Sequence, residues 1–466
     1  MNRNFTLILF LLLFFIIYNI LLLKLLPKEK KEELKEKLTK TELKSLNLKE
    51  SGSFIIENEN LKIVFSEKGG IIKEIILKKY RDLISKENVK INFYNFVSPF
   101  DSILEIKEIT NNKISFSSPD GKVSKEFILE KGYKLKSKFI NTNYFLFSTL
   151  PLIDKGDEKI YHYIEYSKGK VKRHNYNNFL NIDFAGENTL WIGSETKYFV
   201  QVLIKPEYYK KIIKGEEYKE GKFFKLINEN RDSFITYIGP KDYFVLKKEG
   251  FLLHELYPMG FFIVKPFTIF ILYSFNFLYD ITKHFSLVIL IFTLLMKIIF
   301  IPLTIKSLRA MKKMEELKPR MDALKKAYKD DPKKLNEEIL KLYKEMGVNP
   351  FSGCLPLLLQ LPVFWALYQV LTNEIMFRGS ELFLWIKDLS SKDPYYVLPV
   401  LMGLTSLLQQ IIQPSQDKDT KRIGLFMSVF ITIIFLNFPA GLVYYWLLYN
   451  IIGLFETMLI KKRFKK

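Results

Sequence analysis

Lys297 lies inside an apolar run, Phe285 to Leu303, that is long enough to cross a bilayer. A cation at that depth is costly in lipid, so it belongs against a bundle interior or a water-filled cavity. The next charge along the chain is Lys306, nine residues on and roughly 13 Å along a helix. A Lys stem covers only about half of that distance, which strains any snorkelling to the near interface. Two readings follow from the residue alone. One is a snorkelling lysine without a role; the other is a wet, positively charged pocket within the membrane.

Other chemistry is missing. The chain has no GxxxxGK[ST] phosphate loop, no HExxH and no GxSxG. His162, His174, His254 and His284 are scattered without metal-ligand spacing. The expectation is a protein that is not an enzyme and uses no cofactor or metal. Cys354 is the single cysteine, so no intramolecular disulfide can form and any soluble domain must be held by its core.

The elements that position Lys297 come from the segregation of residue types. Of 466 residues, 48% are hydrophobic and 26% charged, and the two populations occupy separate stretches. The net charge of +21 clusters beside apolar segments, which favours membrane surface and cytoplasmic loops over DNA. Residues 1–27 carry an apolar run, Phe5 to Leu23, with no small-x-small cleavage site after it; this predicts an uncleaved signal-anchor helix. Residues 28–51 form a Lys/Glu-rich linker.

From 52 to 250 the pattern changes to short alternating runs such as Leu61–Phe65, Ile71–Leu77 and Tyr133–Ile140. Turn signals separate them, among them Gly69-Gly70, Asp120-Gly121 and Gly239-Pro240. That pattern predicts an all-β sandwich of about 200 residues, large enough to bury a full core. Residues 251–466 hold the remaining apolar runs, at about 285–303, 355–372, 396–412, 423–438 and 442–459. The segment 257–280 could span or lie at the interface as an amphipathic helix. Between 304 and 350 there are 13 Lys and Arg against 8 Asp and Glu, with apolar residues at helical spacing and Pro332 opening a second helix. This predicts a cytoplasmic helical hairpin over 305–347.

The basic loops at 304–350 and 415–422 and the basic C-terminal tail share one side if five spans follow the β domain. The positive-inside rule makes that side the cytoplasm, with both termini inside and the β domain outside. The charges flanking the first helix disagree, since Arg3 stands alone before it and about eight Lys follow it, which on their own favour the opposite orientation. That orientation becomes consistent if 257–280 spans. The preferred count is six spans, the anchor and five more.

Over residues 250–460 the chain resembles the YidC/Oxa/Alb superfamily of membrane-protein insertases. The residues that carry the likeness are Thr293-Leu-Leu-Met-Lys297-Ile-Ile-Phe-Ile-Pro302, Met314-x-x-Leu317-x-Pro319, Asn349-Pro350-x-x-Gly353-Cys354-x-Pro356 with Gln360 and Pro362, and Phe438-Pro439-x-Gly441-Leu442-Val443-Tyr444-Tyr445-Trp446 with Asn450. The N-terminal anchor and the Gly69-Gly70 β domain resemble the larger form of that family, which carries a periplasmic β-supersandwich. The resemblance implies a multi-span α-helical protein with a five-helix insertase core, an N-terminal anchor and an extracytoplasmic β-sandwich, in the bacterial inner membrane.

It also implies a hydrated groove with one positive residue, closed on the outer side. Here that residue is Lys297 where the family has Arg. Thr293, Gln360 and Gln410 would line the groove, and Tyr445 and Trp446 would touch the substrate. From the residues alone, Gln360 and Gln410 could equally be interhelical hydrogen-bond partners, and Tyr445 and Trp446 packing or an interfacial belt. The implied partners are nascent membrane proteins and lipid, the Sec translocon, and a ribosome, signal recognition particle or its receptor at the 305–347 hairpin. A secondary transporter using Lys297 as a coupling residue is the rival; it would be expected to show an internal repeat, and none is visible.

Overall fold

The computed structural model describes residues 53–464, apart from 67–68, 82–87, 96–100, 102–103, 143, 149–161, 176–188, 205–213, 219–220, 228–230, 330, 348–354, 383–384 and 414–417. The expected anchor at 1–27 and the linker at 28–51 lie outside the described residues. The chain divides into two compact units. One takes in 310–352, and the other joins 51–309 to 353–466.

In the larger unit the alternating segments become antiparallel strands. Lys134–Ile140 buries Leu135, Ser137 and Phe139 and turns the intervening residues outward, the period-2 pattern of a half-buried strand. Phe199–Ile204 is buried at every position because it runs in the middle of a nine-stranded sheet. The edge-to-edge order of that sheet is Lys170–Asn175, His162–Ser167, Thr189–Glu195, Phe199–Ile204, Arg231–Pro240, Lys134–Ile140, Ser124–Leu129, Lys113–Ser117 and Glu105–Ile109.

A four-stranded sheet, Ser53–Glu57, Leu61–Ser66, Ile72–Arg81 and Asn88–Asn95, packs against it. Phe65 meets Phe127 at 5.1 Å and Tyr80 meets Phe199 edge-on at 5.6 Å, so the two inner faces share one core, as in a sandwich. A three-stranded sheet, Lys214–Tyr218, Gly221–Ile227 and Tyr144–Ser148, completes the β region. Gly69 and Gly70 both have positive φ, 80° and 59°, and a Cβ on Gly70 would stand 2.6 Å from the Phe116 ring, so the turn requires glycine.

The β region runs into a short helix, α1 (Tyr243–Glu249), capped by Asp242, whose carboxylate accepts from the Val245 N–H at 2.8 Å. Glu195, almost fully buried, ties the strands to this exit segment through Arg173 and through Lys241 Nζ at 3.2 Å. Burial alone would raise its carboxyl pKa, but Lys241 and Arg173 together hold it below the ordinary value.

Helix α2 (Lys265–Thr282) follows. It starts later than the apolar run at 257, because Gly260 turns with φ 78° and Pro266 suits only the first helical turn. Next come α3 (Phe285–Glu316), α4 (Lys318–Ala327) and α5 (Pro332–Glu345), then α6 (Leu355–Asn373), α7 (Val397–Ile412), α8 (Lys418–Phe435) and α9 (Ala440–Phe464). α2 packs on α6, and α7 packs on both α8 and α9, around a shared apolar core. α3 and the segment Ala440–Ile460 of α9 are long and apolar enough to cross a membrane. α7, at 16 residues, is shorter, and α8 begins among Lys418, Lys421 and Arg422. These helices leave many large apolar side chains exposed, among them Phe277, Ile298, Leu404, Phe426 and Phe455. In the smaller unit, Met314, Leu317 and Met321 pack on Leu342 and Tyr343, which closes the α4–α5 hairpin on a small core of its own.

Candidate functional site

α3 places Thr293 and Lys297 one turn apart on the same face. Thr293 is fully buried and its hydroxyl donates back to the Ile289 carbonyl at 2.6 Å, so its hydrogen bond is spent within its own helix. Lys297 is only 5% exposed, while the next two residues, Ile298 and Ile299, are 61% and 60% exposed. The helix therefore turns its cation inward and its isoleucines outward. The ammonium does not reach for a helix end. It lies 3.7 Å from the centre of the Tyr449 ring and 3.4 Å from Glu456 Oε2, both on α9.

The α9 face that meets Lys297 is built by spacing. Tyr445, Tyr449, Gly453 and Glu456 follow one another at three- and four-residue steps, which stacks them along one side of the helix. Gly453 is where the side chains crowd in. A Cβ there would come within 2.9 Å of Lys297 Nζ and 2.8 Å of Gln409 Nε2, so Lys297 on α3 and Gln409 on α7 converge over this glycine. Asn450, one residue past Tyr449, fixes α7 to α9; its amide donates to Ser406 Oγ at 2.7 Å and to the Met402 carbonyl at 3.2 Å. Glu456 Oε1 has no hydrogen-bond partner among the described residues.

The other expected site residues divide into two groups. Gln360 on α6 donates to the Tyr445 hydroxyl at 2.6 Å, and both are buried, so they form an interhelical link. Gln360 Oε1 is left without a partner among the described residues. Trp446 is half-buried among Phe364, Phe435 and Tyr449, with ring centres 5.4, 5.4 and 6.5 Å away. Gln410 stands on the side of α7 that faces α8, pressed so closely on Gly424 that no Cβ fits there. It is thus Gln409, not Gln410, that shares the space over Gly453 with Lys297. Two residues at the Lys297 site, Tyr449 and Glu456, were not among the expected ones. The available signal was a lone carboxylate in the last apolar run, on the turn spacing of Tyr445 and Tyr449.

No cluster of metal-ligating side chains occurs among the described residues. The arrangement sets one cation, one carboxylate, and amide and aromatic groups together inside an apolar bundle.

Comparison with known proteins gives a consistent result. Residues 277–466 match the sequence profile of the 60Kd inner membrane protein family. The membrane protein insertase YidC of Aquifex aeolicus is 35% identical over 98% of this chain and 94% of its own length. The YidC of Geobacter metallireducens is 29% identical over 87% of this chain and 85% of its own. A crystal structure of an active YidC insertase with its first transmembrane domain resolved covers 87% of this chain and 92% of that chain, at 23% identity and a TM-score of 0.40.

Proposed function

The chain belongs to the YidC family of membrane protein insertases, and we propose that it carries polar parts of an incoming membrane protein past Lys297 while the apolar part moves into lipid. One observation carries this reading. A cation that is 5% exposed sits directly before isoleucines that are about 60% exposed, with polar and aromatic groups of α7 and α9 gathered around it. The barrier to crossing is the desolvation of charged and polar groups in hydrocarbon. A polar groove between the helices shortens the distance over which that cost applies, and Lys297 attracts acidic residues of the entering segment.

In this reading an anchor at 1–27 and five further spans, built on α3, α6, α7, α8 and α9, cross the bacterial inner membrane. Both termini are cytoplasmic and the β domain is periplasmic. α2 lies at the outer interface, with Phe261, Phe262 and Ile263 dipping into lipid; Phe262 is 83% exposed. Lys247 on α1 reaches the Tyr273 hydroxyl in the middle of α2 at 2.9 Å, an arrangement suited to the headgroup layer. The substrates are nascent membrane proteins, received alone or beside the Sec translocon. The basic α4–α5 hairpin is the surface offered to a ribosome, the signal recognition particle or its receptor.

The test is depletion of the native protein and complementation with Lys297→Ala, Lys297→Arg and Lys297→Glu, scoring insertion of a small single-span protein with an acidic translocated tail. Insertion is expected to persist in the Arg variant and to fall in the Ala and Glu variants. Wild-type insertion by all three would overturn the role of Lys297.

A further inference from the structure

We propose that Glu456 is a specificity-determining residue, the internal counter-charge of Lys297, and that it makes the site receptive to translocated segments of either sign. This inference rests on the groove reading of Lys297. The two groups form an ion pair across 159 residues of chain, 3.4 Å apart, with side chains 6% and 11% exposed. A lone Lys297 would present a full positive charge to an entering segment, whereas the pair presents a dipole. An acidic residue must compete with Glu456 for the ammonium. A basic residue finds Glu456 Oε1, which has no hydrogen-bond partner among the described residues.

The pair is shielded on its sides. The Tyr449 ring covers the ammonium at 3.7 Å, and Gly453, with no side chain of its own, leaves the ammonium room to lie against α9. In such a buried setting the pair holds its geometry yet gains little net energy, so an incoming charge can exchange with either member. The sign of the incoming charge decides which member of the pair is displaced. When a substrate carboxylate takes Lys297, Glu456 gives up its ion pair; when a substrate ammonium takes Glu456, Lys297 keeps the Tyr449 ring.

The experiment uses the full chain in phosphatidylcholine proteoliposomes without a membrane potential. Three single-span substrates differ only in two Asp, two Asn or two Lys in the translocated tail. The readout is the ratio of acidic to basic insertion, which a merely structural role for Glu456 would not move. Glu456→Gln is expected to shift that ratio toward the acidic tail by about tenfold or more, since losing one partner of a buried ion pair costs more than losing an exposed one. Lys297→Gln should shift it about as far the other way, and the charge-swapped Lys297→Glu/Glu456→Lys protein should return it to the wild-type ratio.

The neutral double variant Lys297→Gln/Glu456→Gln leaves no lone charge to unfold the bundle. It should insert both charged tails more slowly than the wild type does. If Lys297→Gln moves the ratio and Glu456→Gln does not, Glu456 is only structural and this proposal falls while the groove reading stands. If neither single variant moves it, or the neutral double inserts charged tails at the wild-type rate, the groove reading falls with it.

Discussion

Glu374 follows α6 directly and is 1% exposed, yet neither carboxyl oxygen has a hydrogen-bond partner among the described residues. It lies against Asp242, the cap of α1, and the Tyr257 hydroxyl. Burial pushes its carboxyl pKa well above the ordinary value of 4.5, and the negative Asp242 pushes it further; the Tyr257 hydroxyl and the Ile375 N–H pull back only in part. The fold therefore favours the neutral acid at Glu374. Between the ordinary value and the raised one, unfolding releases the proton.

The stability that Glu374 contributes is complete below pH 4.5 and is lost as pH rises toward the raised folded value. While the fold keeps the proton, the loss is about 1.4 kcal/mol per pH unit. Glu374→Gln keeps the shape and removes the titration. Measured by guanidinium unfolding in detergent micelles, the Gln variant should gain on the wild type as pH rises from 5.5 to 7.5. Parallel pH dependences of the two proteins would refute a buried neutral carboxyl at this position.

Glu195 should behave in the opposite sense. Its pKa is held low by Lys241 and Arg173, so its contribution is present above pH 4.5 and fades as acid protonates it in the fold; Glu195→Gln should cost about 3–5 kcal/mol at neutral pH and less at pH 3, read from the unfolding of the full chain. The Gln360–Tyr445 link should show coupling. Tyr445→Phe strands the Gln360 amide at a cost of about 1–3 kcal/mol, and the Gln360→Leu/Tyr445→Phe double should lose less than the two single variants together; additive losses would deny the bond.

What the sequence made legible follows from what repeats along it. The alternation in Lys134–Ile140 and the paired glycines at 69–70 mark strand and turn because both are local, and the fold places them as expected. Helix ends were less legible. The apolar run stops at Leu303 but α3 continues to Glu316, since hydropathy reports where lipid ends and not where backbone hydrogen bonding does. For the same reason α9 runs past Leu459 into Lys461, Lys462 and Arg463. The delayed start of α2 was written in Gly260 and Pro266, whose effect on the backbone outweighs the apolar character of Phe261–Val264.

The site was legible in one half only. A lysine in an apolar run announces itself by its cost, and that cost is why it must face inward. Its partner carries the same cost and stood in the last apolar run, but nothing local ties position 297 to position 456. Only the packing of α3 against α9 brings the two charges within 3.4 Å. That pairing changes what the burial of Lys297 means. An unpaired ammonium would have to be kept charged by water or give up its proton. Beside a carboxylate and the face of Tyr449, the charged form has protein partners of its own. The bundle can therefore carry a charge in its interior at rest without depending on a substrate to neutralise it. If Lys297 meets substrate as proposed, an entering charge takes one member of a pair that is already formed and displaces the other, and the cost of that displaced charge is the one to be met on each passage.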